Sequence, residues 1–185
     1  MTLPIDSERL LLRRFTQDDG PDMLEFTSQP SVAKATSENI ESTEEGIRKY
    51  IDLQNSFRPF EKDKVFDLAI ELKGAGKVIG LLTLVCQEHE QGAIGWALHE
   101  AYRGQGYATE AAAALMNYGF ETLGLHRIHA ETSSANVDSW RVMERLGMRP
   151  EARLREAVQE DGAWADTLIY GILADEWRGG RAGDE

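Results

Sequence analysis

The sequence has little cysteine, little proline and no long hydrophobic run. Its 185 residues include a single cysteine, Cys86, and five prolines. One thiol cannot form an intramolecular disulfide or build a thiolate metal site, so we expect a reducing compartment, the cytoplasm. No stretch approaches the roughly 20 apolar residues of a membrane-spanning helix. The first eight residues carry neither a basic patch nor an apolar run, so we expect no secretory signal.

Positive charge is also scarce. Asp and Glu total 32 and Lys and Arg total 20, which gives a formal net charge of −12. Affinity for nucleic acid comes mainly from cationic side chains that displace counterions, so this balance argues against a nucleic-acid-binding protein. Hydrophobic residues make up 42% of the chain, enough for one substantial core. We predict a single domain at residues 1–177 and a flexible tail at 178–185, which has no large apolar side chain.

Strand and helix patterns alternate along the chain. The polar stretch 31–43 has no periodic pattern, and we expect mobility and acceptor contact within 29–60. Strands gather before and between two longer helices, so the predicted class is α+β with a mixed sheet. The predicted strands are 9–14, 65–72, 77–85, 91–98, 127–132, 149–158 and 163–173; the predicted helices are about 21–28, one opening at Thr43, 106–123 and 136–146.

The strongest local signal is the segment from Ala101 to Glu110, between a predicted strand and an alanine-rich helix. Its two glycines and a small alanine let the backbone turn tightly and gather unpaired N–H groups at a helix N-terminus. Such a concavity binds an anion, most naturally a pyrophosphate. Arg103 either adds a cation at its rim or forms a surface salt bridge. A dinucleotide fingerprint would need glycine at Thr109, and the nucleotide P-loop pattern is absent.

The pattern Arg103-x-x-Gly106-x-Ala108, after a strand ending in Trp-Ala-Leu, closely resembles the acetyl-coenzyme A motif of the GNAT N-acetyltransferases. The resemblance continues at 136–140 and 144–148, which look like the family's Asn-x-x-Ser helix and its closing Leu-Gly turn. It implies a GNAT-like, mostly antiparallel sheet of about seven strands flanked by about four helices. It also implies acetyl-coenzyme A as co-substrate.

Segments near the two ends of the chain, 7–13 and 161–166 with 176–177, further resemble the RimJ/RimL-like branch, which includes N-terminal acetylases of ribosomal proteins. The resemblance implies binding residues as follows: Trp96, Ala97 and Leu98 along the pantetheine arm; Arg103, Gly104, Gln105, Gly106, Tyr107, Ala108 and Thr109 at the pyrophosphate; Asn136 near the pantetheine; and Ser139 near the thioester sulfur.

The chemistry implied by this resemblance is attack of a neutral amine on a thioester. An α-amine with a pKa of roughly 8, or a lysine near 10.4, is mostly protonated at neutral pH, so a base is needed. Glu131 matches the general-base glutamate of RimI-like relatives; equally, it is an outward residue of an alternating strand. Met143 stands where many relatives carry an acid tyrosine, and methionine cannot donate a proton. Ser139 or water then protonates the thiolate, or the thiolate leaves unassisted. The alternative for Ser139 is a helix-surface hydroxyl that only bonds the backbone.

The resemblance implies direct acetyl transfer to a primary amine, with a protein N-terminus of ribosomal type favoured. Small amines such as polyamines, aminoglycosides or amino acids are alternatives, and so is a non-catalytic acyl-coenzyme A sensor or interaction module. The net charge of −12 would attract cationic acceptors, including basic protein tails. We predict no metal site, because His126 and His129 have no third ligand nearby. The branch often forms dimers, so a homodimer is compatible with the resemblance.

Overall fold

The computed structural model describes residues 3–36 and 40–181. Short 3₁₀ turns at Gln17–Asp19 and Glu100–Tyr102 join the longer elements. The strands are β1 (Ile5–Asp6), β2 (Leu10–Arg13), β3 (Phe66–Leu72), β4 (Lys77–Cys86), β5 (Gln91–Leu98), β6 (Arg127–Ser133), β7 (Arg149–Glu160) and β8 (Ala163–Leu173). The helices are α1 (Gly20–Thr27), α2 (Pro30–Thr36), α3 (Glu44–Ser56), α4 (Tyr107–Glu121), α5 (Val137–Arg145) and α6 (Ala174–Arg181).

All eight strands belong to one sheet, in the order β1-β2-β3-β4-β5-β6-β8-β7. Six of the seven neighbouring pairs are antiparallel, and the β5–β6 pair is parallel. A parallel pair needs a crossover connection, and α4 supplies it between β5 and β6. The sheet confirms the predicted α+β, mostly antiparallel GNAT-like class.

Both faces of the sheet are covered by helices. On one face, α4 and α5 pack against a core that includes Leu82 and Ile128, both fully buried. On the other face, α1 and α3 pack against Ala69 of β3 and Leu81 of β4. Alternate residues of a strand point to opposite faces, so each central strand contributes every second side chain to one core and the remaining side chains to the other. Side chains from different strands can therefore meet only when they lie on the same face.

Local sequence explains the start of α3. Thr43 is its N-cap, and the Thr43 hydroxyl accepts a hydrogen bond from the Gly46 N–H at 3.0 Å. Behind this cap, Ile47, Tyr50 and Ile51 are buried on one side of the helix, as helical spacing requires. The predicted helix opening at Thr43 is therefore confirmed, and α3 presents an ordered side-chain face to β3.

The structure has more strands and more helices than the sequence analysis predicts. It has eight strands instead of about seven, because the two-residue β1 pairs with β2. It has six helices instead of about four within the described residues, because α2 and α6 were not predicted. Pro30 begins α2 in place of ending the preceding helix, since proline fits the first position of a helix, and Val32 is buried beneath it.

The predicted mobile segment and tail are described in part. Residues 37–39 of the first and 182–185 of the second lie outside the described residues. The last helix, α6, continues to Arg181, four residues past the predicted domain end at 177. Across the two described ranges, none of the helices combines the length and apolar character needed to span a membrane.

Candidate active site

A gap opens between the central strands β5 and β6. Their parallel pairing covers three residue pairs, from Gln91–Arg127 to Ala93–His129. Beyond that point β5 runs on to Leu98 and β6 to Ser133 without pairing to each other. The β5 edge at 94–98 therefore presents backbone N–H and C=O groups to the gap. An extended ligand with amide groups of its own can bind such an edge as an added strand.

The loop at the end of β5 leads into the N-terminus of α4. Gly104 and Gly106 have φ values of +73° and +83°, which favour glycine. Gly106 is the N-cap of α4 and makes no side-chain capping hydrogen bond, so the first-turn N–H groups are left for another acceptor. A Cβ at Gly104 would meet nothing within 4 Å, so the outside of the loop is open. An anion fits this arrangement of amides and helix dipole.

Arg9 and Glu110 fix this loop to the first strands. The Arg9 guanidinium donates to Glu110 at 2.6 Å and to the Gln105 carbonyl at 3.0 Å, and it lies 4.3 Å from the centre of the Tyr107 ring. Glu110 also accepts from the Arg9 N–H at 2.7 Å and the Ser7 hydroxyl at 2.8 Å. Burial opposes ionisation of Glu110, but these three donors hold its pKa below the ordinary value. The loop is thus braced from a distant part of the sequence.

Arg103 braces the other side of the same loop. Its Nε donates to the Leu98 carbonyl at 3.0 Å, and its Nη2 donates to the Ser31 hydroxyl at 2.8 Å. Ser31 in turn donates to Glu100 at 2.6 Å. Arg103 therefore ties the end of β5 to the first turn of α2, while its side chain remains exposed at the rim.

The start of α5 lies beyond the carboxyl end of β6. Asn136 is the N-cap of α5, and its Oδ1 accepts a hydrogen bond from the Ser139 N–H at 3.2 Å. This cap explains the Asn-x-x-Ser spacing locally. Met143, four residues further along α5, is 2% exposed and packs in the core. The position of the missing tyrosine is therefore occupied by a core side chain.

Glu131 is an exposed residue on the β6 side of the gap. Ile128 and Ala130 point into the core beneath α4 and α5, so Glu131 points to the opposite face. His129 shares that face; burial lowers its pKa, and the neighbouring Arg127 lowers it further. The Arg127 guanidinium lies 3.0 Å from the His129 Nδ1. Glu131 thus has a neutral imidazole, and not a second carboxylate, as its neighbour two residues along the strand.

Comparison with known proteins agrees with this geometry. Residues 9–149 match the family model described as an acetyltransferase (GNAT) domain. The chain belongs to the GNAT acetyltransferase family. The matched range includes the gap, the α4 loop and the α5 cap.

Individual relatives of this GNAT chain are N-acetyltransferases by name. It is 33% identical over 175 residues to "Uncharacterized N-acetyltransferase YnaD" of Bacillus subtilis, covering 94% of this chain and 98% of that one. It is 28% identical over 88 residues to the [Ribosomal protein uS5]-alanine N-acetyltransferase of Escherichia coli, covering 48% and 45% of the two chains. A GNAT-family acetyltransferase structure from Bacillus anthracis superposes with a TM-score of 0.80 at 32% identity, covering 94% and 99%.

The residues predicted from the sequence of this GNAT chain lie around one gap. Trp96–Leu98 is the end of β5 that pairs with β4 but not with β6, 103–109 forms the α4 loop and first turn, and Asn136 is the N-cap of α5. Because β5 and β6 are parallel, both helix N-termini follow strand ends at the same end of the gap. The Thr109 hydroxyl differs from the rest: its Oγ1 is buried without a hydrogen-bond partner among the described residues, so it does not face the open side of the loop.

Among the described residues of this GNAT chain, a cavity and the carboxylate, imidazole and thiol side chains indicate no second candidate site. A cavity of about 830 Å³ lies between α1 and α3 and is lined in part by Leu24, Ile47 and Arg48; none of its lining residues belongs to β5 or β6. Within 3–36 and 40–181, no group of three His, Cys, Asp or Glu side chains is arranged to hold a metal ion. The gap remains the candidate active site.

Glu110→Gln tests the brace beneath the loop. The depressed pKa of Glu110 means that its stabilising effect is present above the unfolded-state pKa and is lost as the pH falls through the folded-state pKa. We expect the variant to lower the free energy of unfolding by about 1–3 kcal/mol at pH 7, because three hydrogen bonds lose a charged acceptor. The difference should shrink below about pH 4, as urea unfolding at several pH values will show.

The matched control is Glu121→Gln on the same helix. Glu121 pairs with Arg178 at the surface, 2.9 Å apart and about half exposed, so its loss should change the unfolding free energy by less than about 1 kcal/mol. An equal, pH-independent loss of unfolding free energy in Glu110→Gln and Glu121→Gln would contradict the role of Glu110 in bracing the loop.

Proposed function

We propose that this chain transfers an acetyl group from acetyl-coenzyme A to a primary amine. The observation that carries the proposal is the β5–β6 gap with the α4 loop at its end. The β5 edge at Trp96–Leu98, which has no partner on the β6 side, pairs with the amides of the pantetheine arm, and N–H groups within 103–109 hold the pyrophosphate. Asn136 and Ser139 lie near the pantetheine and the thioester. The two positive-φ glycines, of which Gly104 has an open outer side, make the loop suitable for a diphosphate despite the net charge of −12.

Bound acetyl-coenzyme A supplies a thioester whose carbonyl carbon forms the new C–N bond as the C–S bond breaks. Glu131 acts as the general base: it is exposed beside the gap and removes a proton from the amine. Its carboxylate is accessible to solvent, so an intervening water can carry the same proton. The proton finally resides on the departing sulfur.

Protonation of the sulfur does not involve residue 143, since Met143 is buried in the core. The half-buried Ser139, in the first turn of α5, or a water molecule delivers this proton. A thiol with a pKa near 8.5 is also a fair leaving group without an acid. The missing tyrosine is therefore compatible with turnover.

The favoured acceptor is the α-amine of a protein N-terminus of ribosomal type. The similarity to the uS5-alanine enzyme supports it, and so does the net charge of −12, which attracts basic protein tails. We expect coenzyme A thiol release to be faster with basic peptides beginning in Ala or Ser than with polyamines or aminoglycosides, measured with a thiol reagent. Faster release with the small amines would show that the acceptor is a small molecule and not a protein N-terminus. No release with any amine, but saturable acetyl-coenzyme A binding, would support a sensor.

Gly106→Glu tests the pyrophosphate site. A side chain at this positive-φ cap is strained, and its Cβ would lie 3.4 Å from the Arg9 Nη2. The added carboxylate would disturb the contact of Arg9 with the loop and place negative charge beside the amides, so we expect no measurable acetyl-coenzyme A binding by calorimetry. Gly179→Glu is the matched control: it adds the same charge on α6, at an exposed position where a Cβ meets nothing within 4 Å. The control should bind as the native chain does. Native affinity in Gly106→Glu would show that the site lies elsewhere.

Glu131→Gln tests the general base. We expect the turnover rate to fall by about 10²–10⁴-fold near neutral pH. Part of the rate should return at high pH, where more of the amine is already deprotonated. Initial rates of thiol release between pH 6 and 10 measure both effects, with Glu121→Gln as the control of equal charge change. A native-like profile in Glu131→Gln would remove Glu131 from the mechanism.

A further inference from the structure

A row of polar residues approaches the gap from the β5 side. Asp67 of β3 is the cross-strand partner of Thr83 on β4, and Thr83 is the partner of Gly95 on β5. Cross-strand partners share a face of the sheet, so the three positions form a row. Asp67 bonds to Tyr50 of α3, which places the row on the face covered by α1 and α3.

Glu131 continues this row on the far side of the gap. The last β5–β6 pair is Ala93–His129, and two residues further along each strand stand Gly95 and Glu131. A step of two residues keeps both on the face of that last pair. Thr83 on β4 and Glu131 on β6 therefore lie on the same face of the sheet, on either side of Gly95.

Asp67 is buried and surrounded by hydrogen-bond donors. It is 6% exposed, and its carboxylate accepts from the Tyr50 hydroxyl at 2.6 Å, the Thr83 hydroxyl at 2.5 Å and the Gln54 Nε2 at 3.3 Å. The Gln54 orientation is fixed, because its Oε1 accepts from the Asp67 N–H at 3.0 Å. Burial raises the pKa of Asp67, while the hydroxyl donors oppose that rise. The Tyr50, Thr83 and Gln54 groups all act as donors to the carboxylate, an arrangement that suits its ionised form.

This arrangement determines what the Thr83 hydroxyl can do. A hydroxyl has one proton, and that of Thr83 is donated to Asp67, so its oxygen is left with acceptor capacity alone. Thr83 is half-buried and not enclosed. A Cβ at Gly95 would meet only the Thr83 Cβ within 4 Å, at 3.9 Å, so the face of the sheet directly over Gly95 is open beside Thr83.

We propose that Thr83, held as an acceptor by Asp67, binds one N–H of the attacking amine while Glu131 binds another, and that this pair selects primary amines. The inference rests on the proposed acetyl transfer. A neutral primary amine has two N–H groups and one lone pair. Two acceptors on opposite sides of the gap use both N–H groups and leave the lone pair for the thioester carbon. A secondary amine has one N–H and leaves Thr83 without a donor.

Asp67 is then a positioning residue, since it acts through Thr83. A purely structural role for the same group is to anchor Tyr50 and Gln54, and thus α3, on the sheet. The two roles make different predictions for variants that alter the hydroxyl and leave the carboxylate in place.

The test compares an Ala-initiated basic peptide with its N-methyl-alanine counterpart as acceptors in the thiol-release assay. The native chain should prefer the primary amine. Thr83→Val, which keeps the side-chain shape, should lose roughly 10–100-fold in kcat/KM with the primary amine and little with the N-methyl peptide. Thr83→Ser should retain the native preference. Gly95→Ala adds a methyl group beside Thr83 and leaves the Thr83 hydroxyl in place. It should block access to that hydroxyl and lower kcat/KM in the same way as Thr83→Val.

Calorimetry and thermal unfolding complete the comparison. Acetyl-coenzyme A affinity should stay native in Thr83→Val, because the hydroxyl acts on the amine. A native rate and preference in Thr83→Val would overturn the inference alone. An equal loss of kcat/KM with both peptides, in both Thr83→Val and Thr83→Ser and with a lowered Tm, would also overturn the inference. That result would show that Asp67 and Thr83 serve to anchor α3 on the sheet. Absence of thiol release from the native chain with every amine would overturn the proposed function, and this inference with it.

Discussion

The divergence of β5 and β6 is the constraint on which the rest of the site depends. A parallel pair that ends after three residue pairs leaves backbone groups that must find another partner. At the same end of the gap, each strand leads into a helix whose first N–H groups are also unpaired within the helix. One break in the ladder therefore brings together an amide edge and two helix N-termini. All of the residues assigned to acetyl transfer belong to these elements or face them.

Side chains around the gap hold backbone in place more than they supply charge. Arg9 and Arg103 lie beside the α4 loop, yet both donate to protein carbonyls, of Gln105 and Leu98 respectively. Their positive charge partly offsets the acidic composition near the loop. In the proposed function, the close contacts to the anionic ligand come from amides, whose dipoles do not depend on the net charge of the chain. An acidic protein can thus hold a diphosphate and still attract cationic acceptors.

Local patterns predicted the elements that depend on local chemistry. The β5 bounds, 91–98, the Thr43 cap and the glycine loop before α4 follow from short-range spacing, and the structure has each of them. What the sequence could not show are contacts between distant segments. Arg9 and Glu110 are 101 positions apart, and Asp67 and Thr83 meet only because β3 and β4 pair in one register. Helix α2 was missed for a different reason: proline is compatible with both the end and the start of a helix.

The contact from Arg9 to Gln105 also bears on how the molecule folds. It closes a chain segment of 96 residues, and closing so long a loop costs conformational entropy before any contact repays it. The glycine loop can form its turn early from local interactions, but its brace forms once β2 has docked beside β3 and α4 has packed beneath them. We therefore expect completion of the proposed anion site to be a late event in folding. A segment cut from the middle of the chain would keep the glycines and lose the arginine that holds the loop.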